Sequence, residues 1–268
     1  MPRFEVLCVT MHQTDFQKVA EMNIRSNVVF ANQCDRTAYE EKEFDGFTAK
    51  MISTETRGLA RNRNIGLVHS RAEYVLFADD DQIFLDGYEE KVERVLAAHP
   101  EADAIKFYCE STNPARPLSY RRPVSFCRAS KRKLMSAGVP CLVIKKDFLV
   151  RSNVHFLECV GAGTAIFTGE DSIFYHDLLK AKAKIFLSDE LISYVKQEGS
   201  TWFSGYTEQF YRSVGYVYAR IYGALAPAAA LRRVILTRRR KDCNSPFFWA
   251  YRNAIKGIAM QRRGKTDA

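Results

Sequence analysis

Phe4-Glu5-Val6-Leu7-Cys8-Val9 is an apolar run broken only by Glu5, and it predicts a first strand. Asn27-Val28-Val29-Phe30-Ala31 predicts a second. From Leu59 to Ser70 the period changes: Leu59, Ile65 and Leu67-Val68 recur among polar positions as they do along a helix. Tyr74-Val75-Leu76-Phe77-Ala78 is a short continuous apolar run, the mark of a strand buried on both faces, and it stops at three aspartates. Gly87 to His99 is again helical, with Val92, Val95 and Leu96 on one side, and Ala104-Ile105-Lys106-Phe107 predicts a further strand. Strands alternating with helices over the first 110 residues predict an α/β fold, an open, mostly parallel sheet flanked by helices. Ligands of such sheets bind at the carboxyl ends of the strands.

Beyond this point the pattern is less regular. Pro114, Pro117, Pro123 and Pro140 interrupt residues 111–165, and Arg121, Arg122, Arg128, Lys131, Arg132 and Lys133 make the stretch locally basic. Leu142-Val143-Ile144 predicts a strand and Gly161-Ala162-Gly163 a turn. Gly169-Glu170-Asp171 opens a helix whose apolar face is Ile173, Phe174, Leu178 and Leu179. Val214 to Leu231 is apolar but holds Arg220 and Pro227, which suits a surface-packed or interfacial helix pair better than a membrane span. Ser245-Pro246 reads as an N-cap followed by proline at the first helical position. Phe247, Tyr251, Ala254, Ile255 and Ile258 then share one face, with Arg252, Asn253, Lys256 and Arg263 elsewhere, the pattern of an interfacial amphipathic helix.

Composition narrows the class. A hydrophobic fraction of 47% supports a real core and excludes a disordered chain, and 268 residues suit one large α/β domain with an appendage or two small domains. The opening Met1-Pro2-Arg3-Phe4-Glu5 leads into a strand and not a signal peptide. Cys8, Cys34, Cys109, Cys127, Cys141, Cys159 and Cys243 show no CxxC spacing, as expected of idle thiols in a reducing cytoplasm. The net charge of +9 has a location: from Arg232 onward there are eleven Lys/Arg and two Asp/Glu, so the rest of the chain sums to zero. An enzyme acting on nucleic acid carries its basic groups around its groove, so no nucleic-acid partner is expected. A basic tail beside Phe247, Phe248, Trp249 and Tyr251 predicts docking on an anionic membrane surface, and with it a peripheral place on the cytoplasmic face.

The candidate chemistry begins at Asp79-Asp80-Asp81. Three carboxylates at the end of a buried strand repel one another unless a cation neutralises them. Mg²⁺ or Mn²⁺ prefers a few carboxylate oxygens together with substrate phosphates. The other reading is a polar loop of helix-capping aspartates, but the buried strand just before it favours the metal. No GxxxxGK[ST] loop and no GxGxxG after a strand is present, so phosphates would rely on a metal and on arginines. Arg57, Arg61 and Arg63 are candidates, with a solvated helix face as the alternative, preferred for Arg61.

Taken in order, these segments resemble a family 2 glycosyltransferase of the GT-A fold. Phe77-Ala78-Asp79-Asp80-Asp81-Gln82-Ile83-Phe84 resembles the family's DxD segment, and Gly58-Leu59 through Arg63-Asn64-Ile65-Gly66 the segment before it. Val9-Thr10-Met11-His12-Gln13 stands where the family ends its first strand, and Asn32-Gln33-Cys34-Asp35 where it has an acidic pair that meets the base. Gly169-Glu170-Asp171 resembles the later Glu-Asp motif, and the likeness covers roughly residues 4–195.

The resemblance implies roles. Thr10 and His12 line the base pocket; Asn32 and Gln33 replace carboxylates that contact uracil; Arg57 and Arg63 serve the donor; Asp79 or Asp80 contacts ribose or metal-bound water. Asp81, with Asp79, binds Mg²⁺ or Mn²⁺, Asp171 is the general base, and Trp202 lies where relatives close a loop over the donor. The implied reaction is inverting transfer of a hexosyl group from a UDP-linked nucleotide sugar to a glycan hydroxyl in cell-surface polysaccharide assembly. The implied acceptor is a glycan or lipid-linked glycan. Residues 1–110 would form the nucleotide-sugar half, 111–210 the acceptor and base half, and 211–268 the helical basic tail. Two alternatives stay open. A sugar-nucleotide pyrophosphorylase would place a Gly-rich basic loop where Thr10-Met11-His12-Gln13-Thr14 has no glycine. A non-catalytic membrane scaffold with a decayed domain sits poorly with intact Asp81 and Asp171.

Overall fold

The computed structural model describes residues 3–196 and 205–264. The chain divides into two compact units, one of Met1–Arg57, Arg61–His155 and Asp177–Gly199, the other of Gly58–Ala60, Phe156–His176 and Ser200–Ala268.

The first unit is built on a sheet. In chain order its strands are β1 (Phe4–Met11), β2 (Val28–Gln33), β3 (Ala38–Phe44), β4 (Phe47–Thr54), β5 (Tyr74–Asp79), β6 (Gln82–Phe84), β7 (Ala104–Ser111), β8 (Cys127–Arg128), β9 (Leu142–Lys145) and β10 (Ile185–Val195). They lie in the order β3-β4-β2-β1-β5-β9-β7-β10-β6, with β8 on β10. Strands β4, β2, β1 and β5 are parallel neighbours. Strand β9 runs antiparallel to both β5 and β7, and β10 is parallel to β7, so six of the ten strands point the same way. The mostly parallel sheet expected from the alternating pattern is therefore present. The register pairs Met11 with Gln33, Gln33 with Thr54 and Val9 with Asp79, which brings the carboxyl ends of β1, β2, β4 and β5 to one edge.

Strand alternation puts helices on both faces. The helices of the chain are α1 (Gln17–Glu21), α2 (Leu59–His69), α3 (Tyr88–Ala98), α4 (Lys131–Leu134), α5 (Lys146–Ser152), α6 (Glu170–Lys180), α7 (Glu208–Tyr222), α8 (Ala226–Arg238) and α9 (Phe247–Arg262). Val6, Cys8, Phe30, Leu76 and Ala78 on one face share a core with Tyr88, Val92 and Leu96 of α3. Leu7 points to the other face, toward α2, where a Cβ on Gly66 would lie 2.8 Å from Leu7 Cγ. Only glycine lets the helix lie this close to the central strand without moving Leu7.

In the second unit α7, α8 and α9 pack around Phe210, Val214, Ala226, Ala230, Val234, Ala250, Ala254 and Ile258. Helices α7 and α9 meet backbone to backbone: a Cβ on Gly215 would fall 1.9 Å from Ala254 O, and one on Gly257 2.0 Å from Arg212 O. This corrects the expectation for the last helix. Ala254 and Ile258, assigned to a membrane-facing stripe, are buried against the helix bundle, with Phe247, Tyr251 and Ile255 packed beside them. Ser245 does not cap α9 either; its hydroxyl donates to Tyr206 O at 2.8 Å, and Pro246 holds the cap position. No helix among the described residues is long and apolar enough to cross a membrane.

Candidate functional site

The apolar residues of β5 are buried, and the strand ends at Asp79. Asp80 and Asp81 make the turn into β6. Gln82 pins that turn from beneath: it is almost fully buried, its Oε1 accepts from Asp79 N (2.9 Å), and its Nε2 donates to Ser193 Oγ (2.8 Å) and Cys141 Sγ (3.0 Å). Lys196 N donates to Asp81 O (3.0 Å) from the neighbouring strand end.

The three carboxyls have different surroundings. Asp79 is paired with Arg63, 3.0 Å away; Arg63 extends from α2 with only 2% of its side chain exposed. A buried guanidinium of this kind requires a carboxylate partner. Asp80 accepts from Thr10 Oγ1 at 2.8 Å, which ties the end of β1 to the turn, and its carbonyl takes a 3.4 Å contact from Lys18 Nζ. Burial works against the Lys18 charge, but a hydrogen bond to Glu21 and the Asp80 charge hold its pKa above the ordinary value. Asp81 is pushed up to about 6, first by burial and then by the charges of Asp79 and Asp80. Near neutral pH the turn thus carries a carboxyl that gains from a further cation.

The other expected donor residues lie along the same edge. Thr10 is buried at the end of β1. His12 follows it with a left-handed backbone (φ 54), exposed, its N–H donating to Gln33 O at 2.8 Å. Gln33 closes β2 and is largely buried. Arg57 ties the ends of β2 and β4 together, donating to Cys34 O (2.8 Å) and pairing with Asp35, with about half its side chain exposed. Asn32 departs from expectation. It is fully buried; its Oδ1 accepts from Gln13 N (3.0 Å), and its Nδ2 donates to Gln13 O (2.9 Å) and Ser53 Oγ (3.0 Å). Strand β2 is buried along its whole length, so this amide is spent on the loop after β1 and offers no edge to a base.

Asp171 belongs to the second unit, half-buried in the first turn of α6. The chain enters the helix through Gly169 at φ 103, where a Cβ would lie 2.5 Å from Val217 Cγ2. Trp202 lies outside the described residues. Lys18 and Gln82 went unassigned in the sequence. Gln82 had a signal, since it directly follows the triplet; Lys18 reaches Asp80 across 62 positions of chain, and no local pattern marks it.

Comparison with known structures places the fold. The crystal structure of S. aureus TarS 1-349 superposes with a TM-score of 0.65 at 15% identity, covering 97% of this chain and 81% of that one. The same fragment in complex with UDP-GlcNAc gives 0.63 at 15% identity, covering 98% and 93%. The architecture is that of a GT-A-type glycosyltransferase.

Comparison of the sequence points the same way. The model for Glycosyl transferase family 2 matches residues 21–148, a stretch that contains Arg57, Arg63 and the whole acidic turn. A Haemophilus influenzae protein described as an uncharacterized glycosyltransferase is 29% identical over 161 residues, 57% of this chain and 52% of that protein. Over residues 21–148, just under half of its length, the chain is similar to glycosyl transferase family 2. It spans about half the length of that curated relative.

Proposed function

We propose that the protein transfers a hexosyl group from a UDP-linked nucleotide sugar to a glycan hydroxyl, with inversion, in cell-surface polysaccharide assembly. The observation that carries this is the acidic turn at the carboxyl end of β5, in which Asp81 is raised to about 6 by burial and by its acidic neighbours. TarS has been solved with UDP-GlcNAc and with UDP, which supports a uridine nucleotide as donor.

The donor set fits Mg²⁺ or Mn²⁺. Among the described residues no group of three or more His, Cys, Asp or Glu side chains converges to cage a metal. An ion at this turn would be held by Asp81, with Asp79, and would take its remaining oxygens from diphosphate and water, as these ions commonly do. Once bound, it would offset the negative charge that builds on the departing diphosphate.

The chain's own residues supply orientation and proton transfer. Thr10, His12 and Gln33 would line the base, while Asn32 positions the Gln13 backbone from below. Asp80, fixed by Thr10, would meet the ribose. Arg63 holds Asp79 in place, and Arg57 would stand beside the diphosphate. Asp171 would take the proton of the acceptor hydroxyl as its oxygen attacks the anomeric carbon opposite the leaving diphosphate. A single displacement of that kind inverts the carbon. The acceptor would be a glycan or lipid-linked glycan, reached from the cytoplasmic face of a membrane on which the basic tail docks.

Calorimetric titration of UDP with Mn²⁺ and with chelator tests the core of this proposal. Binding should tighten by about tenfold or more with the metal, equal to 1.4 kcal/mol, and Asp81→Ala should erase that gain in a protein with an unchanged circular dichroism spectrum. UDP affinity indifferent both to chelator and to Asp81→Ala would overturn the assignment.

A further inference from the structure

We propose that residues 112–133 form the binding surface for an acceptor that is itself anionic, bearing phosphate or carboxylate groups. This inference rests on the glycosyl-transfer reading and adds a substrate class to it.

The stretch contains seven Lys/Arg and no Asp/Glu; no acidic residue occurs between Glu110 and Asp147. All seven cations (Arg116, Arg121, Arg122, Arg128, Lys131, Arg132 and Lys133) are exposed. An ordinary solvated face mixes the two signs, as elsewhere in this unit, where Arg94 pairs with Glu190 and Arg151 with Asp103 and Asp147. Among the described residues Arg116, Arg121, Arg132 and Lys133 have no carboxylate partner. Like charges gathered this way repel one another, and an anionic ligand relieves that repulsion.

The stretch is also placed and anchored. Strand β7 ends at Ser111, and Thr112 N donates to Val195 O at 3.0 Å. Val195 pairs with Gln82, and the next residue, Lys196, donates to Asp81 O. The basic stretch thus leaves the sheet beside the acidic turn, on the same edge. Asn113 shapes the exit: its Oδ1 accepts from Ala115 N (3.0 Å) and its carbonyl from Arg116 N (3.0 Å). Further along, Tyr120 is buried, Phe126 stacks between His99 and Phe186, and Arg122 Nε donates to Asp189 O at 2.8 Å. Aromatic groups fasten the stretch to the sheet while its charges face water.

This arrangement answers an electrostatic need. Asp79, Asp80 and Asp81 repel any anionic acceptor, so attraction must come from a neighbouring surface. The details favour a charged glycan over other polyanions. A single-stranded nucleic acid stacks its bases on exposed aromatics, and Tyr120 and Phe126 are turned inward. A membrane surface takes inserted apolar side chains, and Val124 is the large apolar residue here that is fully exposed.

The test uses the full chain with Mn²⁺ and UDP, and fluorescently labelled oligosaccharides of equal length: oligoalginate for carboxylate, dextran phosphate for phosphate and dextran as the neutral control. At least one anionic probe should bind about tenfold or more tighter than dextran, a gap of 1.4 kcal/mol, and should weaken as salt rises. The better of the two identifies the anion. The combined variant Arg116→Gln, Arg121→Gln, Arg132→Gln and Lys133→Gln should lose that preference, whereas Arg238→Gln, Arg239→Gln and Arg240→Gln in the tail should keep it. Equal binding of anionic and neutral probes would overturn the proposal. So would a preference that survives in the first variant, or tighter binding through this stretch by a single-stranded oligonucleotide or an anionic vesicle. UDP calorimetry on the same proteins separates the two claims: absent UDP binding by the wild type sinks the donor reading, while the oligosaccharide comparison judges the acceptor surface by itself.

Discussion

Asp171 occupies the first turn of α6, where two accounts of a carboxylate compete. As a partner of the helix N-terminus it contributes about 0.3–1 kcal/mol of stability. As the general base it must accept a proton from the acceptor hydroxyl. Asparagine distinguishes them, because the amide keeps the hydrogen-bond acceptor and loses the basicity. Asp171→Asn should lower turnover about 10²–10⁴-fold while UDP affinity and melting temperature stay near wild type. Steady-state kinetics beside UDP calorimetry checks this; a folded variant retaining more than roughly a tenth of wild-type turnover, above the range for a lost base, removes Asp171 from the chemistry. Around the acidic turn, Asp79, Asp80, Asp81, Thr10 and Arg63 are legible in the sequence, because the triplet ends an apolar run and the others flank it in family order. Asn32 misleads for a physical reason. Its segment reads as a ligand-facing strand end, but Asn32 is fully buried and its side chain is taken up by the Gln13 backbone and Ser53.

Glu5 shows how a buried charge ties elements together. It interrupts the apolar run of β1, and its carboxylate accepts from Ser70 Oγ (2.8 Å), Arg71 N (2.7 Å) and Ala72 N (3.1 Å), with Lys50 of β4 at 3.2 Å. One side chain thus joins β1, β4 and the turn that leads into β5. Burial acts to raise its pKa, but the Ser70 and Arg71 hydrogen bonds and the Lys50 charge outweigh that and hold it below the ordinary 4.5. A depressed carboxylate stabilises the fold above its unfolded pKa, and that stabilisation is lost as pH falls through the folded value. Glu5→Gln leaves Lys50 buried without its counter-charge, so it should cost about 3–5 kcal/mol at pH 7. The gap between variant and wild type should be smaller at an acid pH below the folded-state pKa of this carboxyl, where the wild-type side chain also gains its proton. Denaturant melts at both pH values check this; an equal gap at both would show that charge is not the cause. The elements legible in the sequence, among them β1, β2, β5, β7, β9, α2, α3 and α6, keep at least one face buried along most of their length. The β3–β4 hairpin escapes because Ala38–Phe44 is an exposed edge; its signal is the Asp45-Gly46 turn, with Gly46 at φ 82, which a hydrophobic pattern passes over. Strand β10 escapes because its pairing with β7 shifts register between Leu187 and Leu191, where Ser188-Asp189-Glu190 breaks the apolar run.

For the whole molecule, the membrane role proposed for the excess charge from Arg232 onward has to rest on a different surface. Helix α9 spends Ala254, Gly257 and Ile258 on α7, so its apolar stripe cannot also enter a bilayer. Among the described residues of the second unit, the large apolar side chains open to solvent include Leu225, Ile235 and Leu236 around α8, and Phe248 and Trp249 at the start of α9. Arg232, Arg233, Arg239 and Arg240 are exposed close to them in sequence. Apolar side chains that can insert, interleaved with cations that meet headgroups, suit an anionic leaflet. The two contributions separate experimentally. Neutralising the four arginines to glutamine should remove up to about 1 kcal/mol for each near-surface charge, and should remove the salt dependence of binding with them. Phe248→Ser should weaken binding while leaving the salt dependence in place, since it deletes an inserted group and no charge. Co-sedimentation with vesicles containing phosphatidylglycerol, at low and at physiological salt, measures both. Neutral phosphatidylcholine vesicles should retain little of the wild type, because the apolar groups are few and scattered. If the four-arginine variant and the wild type sediment equally with anionic vesicles at low salt, the tail is not a membrane anchor, and its charge must be explained by a protein partner.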